Sequence, residues 1–368
     1  MSTFSFSFAG DDIDDDGQVP TPAQPPTQSV SSPSSASAFP VQGKPLLPPT
    51  RHSIDDMLAK LPSKIAFGLL SVDLDGGRSI QLPRRELWDV RLQLMAEEEE
   101  SSGVSESEPG LGEHDVKTGI YEGGFKSWES SVDLVKVLAS ENIPQALSRD
   151  PCILMELGCG TALPSLALFQ WALDERKSSE RPPLVFTLAD YNPTVLYLVT
   201  LPNFLLTWAL QRQGDIPILE EAFASEDELE LTAEVLEAFK LSLASNQITL
   251  SFVSGAWSPE FVDLLYPSNL LGTLTASAKA LVLGAETIYS PFALETFAIT
   301  LLSVLERERC ERPSGYAAAL IGAKRLYFGV GGSLDDFTDR MKGLGATVET
   351  LREETDGVRR GVIRCILS

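Results

Sequence analysis

The run Ile153-Leu154-Met155-Glu156-Leu157-Gly158-Cys159-Gly160 constrains this chain more than any other. It is a short apolar stretch that ends in an acid and a glycine pair, the pattern of a buried strand entering a tight turn. Glycines at such a turn let a ligand approach bare backbone. The next apolar run, Leu184 to Ala189, ends in Asp190. An acidic side chain at the tip of the second strand is placed to take ribose hydroxyls, which is the layout of a nucleoside-binding α/β half-domain.

Strand-like and helix-like segments alternate through the rest of the chain. Ser127 to Ser140 carries Val132, Leu134, Val135, Val137 and Leu138 at helical spacing. Strands are expected at Cys152–Leu157, Leu184–Ala189, Thr249–Val253, Ala280–Gly284 and Ala317–Gly322, with 347–351 and 362–367 closing the chain. Helices are expected near 163–173, 194–208, 292–308 and 334–344. Gln211 to Ala244 is acidic and partly helical, and reads as an insertion. The alternation predicts an α/β fold: a doubly wound, mostly parallel, seven-stranded sheet with an antiparallel last pair.

Residues 1–50 are rich in Ser, Pro, Gln and Asp and predict a disordered leader. Residues 51–117 form an N-terminal extension, partly ordered, interrupted by a Ser/Glu/Gly-rich break from Glu97 to Gly112. The main domain is expected over 118–368. The net charge is -23, from 29 basic and 52 acidic residues. That acidity repels nucleic-acid phosphate, so direct nucleic-acid binding is not expected and a basic protein is the better partner. The four cysteines show no metal-ligand spacing, so no metal is expected. No apolar run in the sequence reads as long enough to cross a bilayer, and no secretion signal is evident at the N-terminus. A cytoplasmic and nuclear location is the expectation.

Four constellations carry chemistry. The first joins Glu156, Gly158 and Gly160 to Asp190, with the peptide groups of Tyr191 and Asn192 flanking a base. The glycine run continues Thr161-Ala162-Leu163, so it lacks the last small residue of the dinucleotide fingerprint G-x-G-x-x-G/A. Its acid also lies farther on than the ~20 residues usual there. Both departures favour S-adenosylmethionine over a nicotinamide cofactor. The second is the loop Gly123-Gly124-Phe125-Lys126-Ser127-Trp128-Glu129-Ser130, where an aromatic ring near a helix start could pack on a nucleoside or shield a sulfonium. The third, Ser254-Gly255-Ala256-Trp257, follows the third strand and could contact adenine. The fourth is Ala285-Glu286-Thr287-Ile288-Tyr289, leaving the fourth strand; Glu286 and Tyr289 would face the crevice where substrate meets cofactor.

Together these motifs resemble the class I, Rossmann-like methyltransferases, and within them the protein-histidine methyltransferases. The resemblance is carried by Tyr121-Glu122-Gly123-Gly124-Phe125-Lys126-Ser127-Trp128-Glu129, Glu156-Leu157-Gly158-Cys159-Gly160, Asp190-Tyr191-Asn192 and Glu286-Thr287-Ile288-Tyr289. It departs at Ala162 and Ser165, where relatives often place glycine, and at Ser127, usually apolar.

The resemblance implies methyl transfer from S-adenosylmethionine to a histidine of a protein, with a ribosomal protein as the expected substrate. It places Glu286 and Tyr289 in catalysis. Lys126, Ser127, Trp128, Glu129, Ser130, Glu156, Gly158, Gly160, Asp190, Tyr191, Asn192, Gly255, Trp257 and Ala285 are the candidate cofactor residues. Neither histidine, His52 or His114, lies in a motif, so a histidine base is disfavoured; His114 is a candidate for self-modification. A lysine methyltransferase on the same scaffold and a non-catalytic module docking on basic partners are the alternatives.

Overall fold

The computed structural model describes residues 45–101, 124–175, 181–266, 276–329 and 331–367. Residues 1–44, His114 and the Tyr121-Glu122-Gly123 part of the second motif lie outside the described residues.

The strands in chain order are β1 (Thr50–His52), β2 (Lys64–Leu74), β3 (Arg78–Arg85), β4 (Cys152–Leu157), β5 (Leu184–Asp190) and β6 (Glu228–Glu230). They continue as β7 (Ile248–Ser254), β8 (Lys279–Ala285), β9 (Ala317–Lys324), β10 (Ala346–Glu354) and β11 (Arg360–Leu367). Eight of them form the main sheet in the order β1-β7-β5-β4-β8-β9-β11-β10. Strands β7, β5, β4, β8 and β9 run parallel, and β11 is antiparallel to both β9 and β10. These are the seven strands expected from the sequence. The eighth is β1, antiparallel to β7 at the edge, with His52 opposite Phe252.

The apolar runs that read as continuous are buried on both faces, as a parallel sheet with helices on each side requires. Cys152 and Leu154 of β4 pack into one core; Ile153, Met155 and Leu157 pack into the other. The chain winds outward from β4 through β5 and β7 on one side and through β8 and β9 on the other. The strand order reverses at β4, and a crevice opens beyond the carboxyl ends of β4, β5 and β8, where such sheets bind ligands.

The segment before the main domain is built into it. β2 pairs with β3 as a hairpin, and β6 from the acidic insertion pairs with β2. Arg85, at the end of β3, is buried against the helical stretch Pro193–Arg212. Pro202 in that stretch has no N–H to give to the carbonyl of Leu198. Arg85 Nη1 donates to that carbonyl instead, at 3.0 Å, and Arg85 Nε donates to Asp89 Oδ2 at 2.6 Å.

Pro193–Arg212 is also long and apolar enough to cross a membrane, contrary to the reading of the sequence, but 89% of its apolar 18-residue window is buried inside the protein. Its apolarity is that of a helix packed on all sides.

Candidate active site

The crevice is a cavity of about 490 Å³, within the range of small-molecule and cofactor sites. Its floor is the turn after β4. Gly158 has φ +70° and Gly160 φ +50°, conformations that favour glycine. A Cβ on Gly158 would sit 2.7 Å from Thr287 Cγ2, so the turn can pack against the end of β8 only without a side chain there.

Side chains from other elements hold this turn. Asp190 Oδ2 accepts from Gly160 N at 3.0 Å, and its Oδ1 accepts from Asn192 N at 3.1 Å. Thr200 Oγ1 donates to Gly160 O at 2.7 Å and Asn203 Nδ2 to Thr161 O at 3.0 Å. Asn203 Oδ1 in turn accepts from Arg85 N at 2.8 Å, which ties the β3 end to the ligand-facing turn.

Burial raises the carboxyl of Asp190, and it pushes that of Glu156 up to about 8. Glu156 Oε2 accepts from Ser165 N at 3.0 Å, at the start of the helix Leu163–Glu175.

One rim of the cavity is closed by residues 45–49, which composition groups with the leader. Leu46 lines the cavity. Leu47 N donates to Tyr191 Oη at 3.0 Å, and Leu47 O accepts from Ala256 N at 2.9 Å. Gly255, at φ +109°, lets the strap pass: a Cβ there would lie 2.4 Å from Pro48 O. Trp257 lines the same rim and packs on Phe297 with ring centroids 5.1 Å apart.

The opposite wall belongs to Glu286. It has φ +56°, rare for a residue with a side chain. Its N–H donates to Gly322 O of β9 at 3.0 Å, which holds the strained turn. Its carboxylate accepts from the hydroxyl of Ser130. Burial raises its pKa, while the Ser130 hydroxyl, Tyr327 and the charge of Lys324 act to lower it. Tyr289 also lines the cavity; burial, with the charges of Asp190 and Tyr191, pushes its phenol up to about 12.

No protein-family profile matches the chain. Histidine protein methyltransferase 1 of Saccharomyces cerevisiae is 35% identical, with 99% of this chain and 98% of that protein aligned. The protein of the same name from Schizosaccharomyces pombe is 30% identical, covering 84% of this chain and 83% of its own. This chain belongs to the histidine protein methyltransferase family.

It is accordingly an enzyme that transfers a methyl group from S-adenosylmethionine to a protein histidine. Among solved structures, magnesium protoporphyrin IX methyltransferase from Synechocystis PCC 6803 with bound SAM aligns over 65% of this chain and 78% of its own, at 11% identity and a TM-score of 0.30. The fold assignment rests on the strand order and not on that likeness.

The residues of this methyltransferase fit its cofactor. The glycine cradle admits backbone approach, Asp190 stands at the tip of β5, and Tyr191, Gly255 and Trp257 border the rim beyond it. Three carboxyl groups, Glu156, Asp190 and Glu286, line the cavity and would suit a ligand that carries a sulfonium and an ammonium.

Of the residues expected from the sequence, Lys126, Trp128, Glu156, Gly158, Gly160, Asp190, Tyr191, Gly255, Trp257, Ala285, Glu286 and Tyr289 line this one cavity. Four do not. Ser127 Oγ bonds Thr161 Oγ1 at 2.9 Å, and Ser130 turns its hydroxyl to Glu286. Glu129 points outward, 3.9 Å from Arg360 Nη1. Asn192 is buried, and its Oδ1 accepts from Thr194 N at 2.9 Å, capping the helix that follows.

Trp128 was expected to lie against the nucleoside or the sulfonium. It lines the cavity, and its ring also carries the Lys324 ammonium, 5.3 Å from the centroid. Sequence reasoning missed Lys324, the last residue of β9, Tyr327 in the turn that follows, and Leu46 of the strap. Lys324 sits at the carboxyl end of a parallel strand, and that position was the signal that could have found it.

Proposed function

We propose that this methyltransferase modifies a neutral imidazole on a basic protein, with a ribosomal protein as the expected substrate, and that it works in the cytoplasm and nucleus. One observation carries the reading. Glu286 is held in a strained turn, with the Ser130 hydroxyl donating to its carboxylate, and lines the same cavity as the glycine cradle and Asp190. A net charge of -23 supports a basic substrate and disfavours direct nucleic-acid binding.

When bound, S-adenosylmethionine supplies a methyl group already activated by its sulfonium. The chain's own part is alignment and proton handling. A neutral imidazole, with an unperturbed pKa of ~6.5, has a lone pair available near neutral pH without a strong base. Glu286 accepts the N–H of the acceptor ring, which selects the tautomer whose other nitrogen is free. As that nitrogen forms its new bond the ring becomes cationic, and the Glu286 carboxylate stabilises it and accepts its proton. A carboxylate with a raised pKa is the better acceptor for this step. Tyr289 shapes the slot between Glu286 and Asp190. Glu156, Gly158, Gly160, Asp190, Tyr191, Gly255 and Trp257 hold the donor in place, and the strap at 46–48 closes the rim. Ordering both reactants in this way supplies the main part of the rate enhancement.

The test is incubation of the purified protein with labelled S-adenosylmethionine and a lysate of cells lacking the enzyme, followed by amino-acid analysis of the labelled band. Label in methyl-histidine of a ribosomal protein is the expected result. Label in methyl-lysine overturns the acceptor chemistry, and label in a non-ribosomal band overturns the substrate class. A lysate fraction that is labelled only when RNA is intact would contradict the reading that nucleic acid plays no direct part.

A further inference from the structure

Lys324 ends β9, one strand over from the Glu286 turn, and the two strand ends are tied by the Glu286 N–H bond to Gly322. Its ammonium lies 5.3 Å from the centroid of the Trp128 ring and 5.6 Å from that of Tyr327. Tyr327 and the Lys324 charge both act on the Glu286 carboxylate. The loop that brings Tyr327 back is set by Tyr327 N to Gly332 O at 2.9 Å and Gly331 N to Tyr327 O at 3.1 Å. Two aromatic faces and a carboxylate are the groups that would receive a substrate ammonium. Here a cation of the chain's own already occupies that position.

We infer that Lys324 is a specificity-determining residue: it closes the acceptor slot to a lysine side chain and leaves it open to a neutral imidazole. The inference rests on the reading that Glu286 faces the acceptor. A substrate lysine would bring a second ammonium to the same carboxylate, and two like charges a few ångströms apart repel strongly in a partly buried site. A neutral imidazole brings no charge, and its N–H still finds Glu286. Lys324 therefore separates two acceptors of similar reach by charge and not by shape. It touches neither reacting atom; it acts by filling the cation position formed by Trp128, Tyr327 and Glu286.

The test uses the full chain saturated with S-adenosylhomocysteine and two small probes, 4-methylimidazole and n-butylammonium, whose affinities are measured by ligand-observed NMR at mildly alkaline pH. The wild-type protein is expected to favour 4-methylimidazole. In Lys324→Met, which keeps the apolar stem and removes the charge, the preference is expected to shift toward n-butylammonium by about tenfold or more, the effect of one like charge removed. Lys324→Gln serves as a second neutral variant, and Lys324→Arg is expected to restore the wild-type preference. An unchanged ratio of the two affinities in both neutral variants, with S-adenosylhomocysteine still bound normally, overturns the inference. A wild-type protein that binds S-adenosylhomocysteine but takes up no 4-methylimidazole sinks the reading of the slot itself, and this inference with it.

Discussion

Glu156 offers the most quantitative test of the site's electrostatics. It is 1% exposed, and burial pushes its carboxyl from 4.5 up to about 8. In the unfolded chain the group loses its proton near its ordinary value. In the folded protein it keeps that proton until about pH 8. Between those two values the native state holds a proton that the unfolded state has given up, so stability falls as pH rises through the window. At 1.36 kcal/mol per pKa unit, the whole difference corresponds to roughly 5 kcal/mol, present in full only below the unfolded value. About 4 kcal/mol of it is lost between about pH 5 and about pH 9.

Glu156→Gln is nearly isosteric, keeps an acceptor oxygen for Ser165 N, and cannot ionise. Urea unfolding of cofactor-free wild type and variant, followed across that pH range, reads the effect directly. The gap between them should open in favour of the variant by about 4 kcal/mol from the acidic to the alkaline end. In thermal scans this amounts to a change of roughly 6 °C in the difference of melting temperatures for a domain of this size. Two curves that stay parallel from end to end would show that the native Glu156 titrates at its ordinary value, and the account of the buried carboxyl would be wrong.

Three further outcomes follow from the same geometry. Glu286→Gln should lower kcat about 100-fold, the scale of a positioned proton acceptor, with cofactor affinity little changed; in the wild type, turnover should fall as pH drops through the raised pKa of Glu286, because a protonated carboxyl no longer accepts the ring N–H. Full activity in the variant refutes the role. Gly158→Ala forces a Cβ onto Thr287 Cγ2 at 2.7 Å and a left-handed backbone onto alanine, so calorimetry should show cofactor affinity reduced at least tenfold and a loss of roughly 1–2 kcal/mol of stability from the backbone alone. Gly214→Ala, where a Cβ meets nothing within 4 Å, is the tolerated control. Tyr191→Phe removes the acceptor for Leu47 N and should speed cofactor release several-fold, about 1 kcal/mol, without changing the methyl-transfer step; unaltered release would show that the strap does not hold the rim.

Much of this architecture was legible in one dimension. The β4 run and the Leu184–Asp190 run are apolar on both faces, and only a strand in the middle of a sheet tolerates that. The glycines after β4 and the acid after β5 were readable because their roles are local: a left-handed turn and a strand-tip carboxylate need no distant partner. The same local reading went astray where a side chain serves a distant neighbour. Ser130 looked like part of a cofactor loop and instead supports Glu286. Residues 45–49, polar and proline-rich in their surroundings, gave no periodic signal, yet they pair with Tyr191 and Ala256 across the rim.

The amino-acid sequence alone determined the seven main-sheet strands from β4 onward, the cradle at Gly158 and Gly160, and the acids Asp190 and Glu286. Each depends on hydrophobic period, backbone freedom or position at a strand end, all of which are properties of short segments. Tertiary structure decided which groups surround Glu286. Ser130, Lys324 and Tyr327 come from the start of a helix, the end of β9 and the turn beyond it. A carboxylate's pKa and the identity of the cation beside it depend on burial and on charges brought together through space, which no spacing along the chain records.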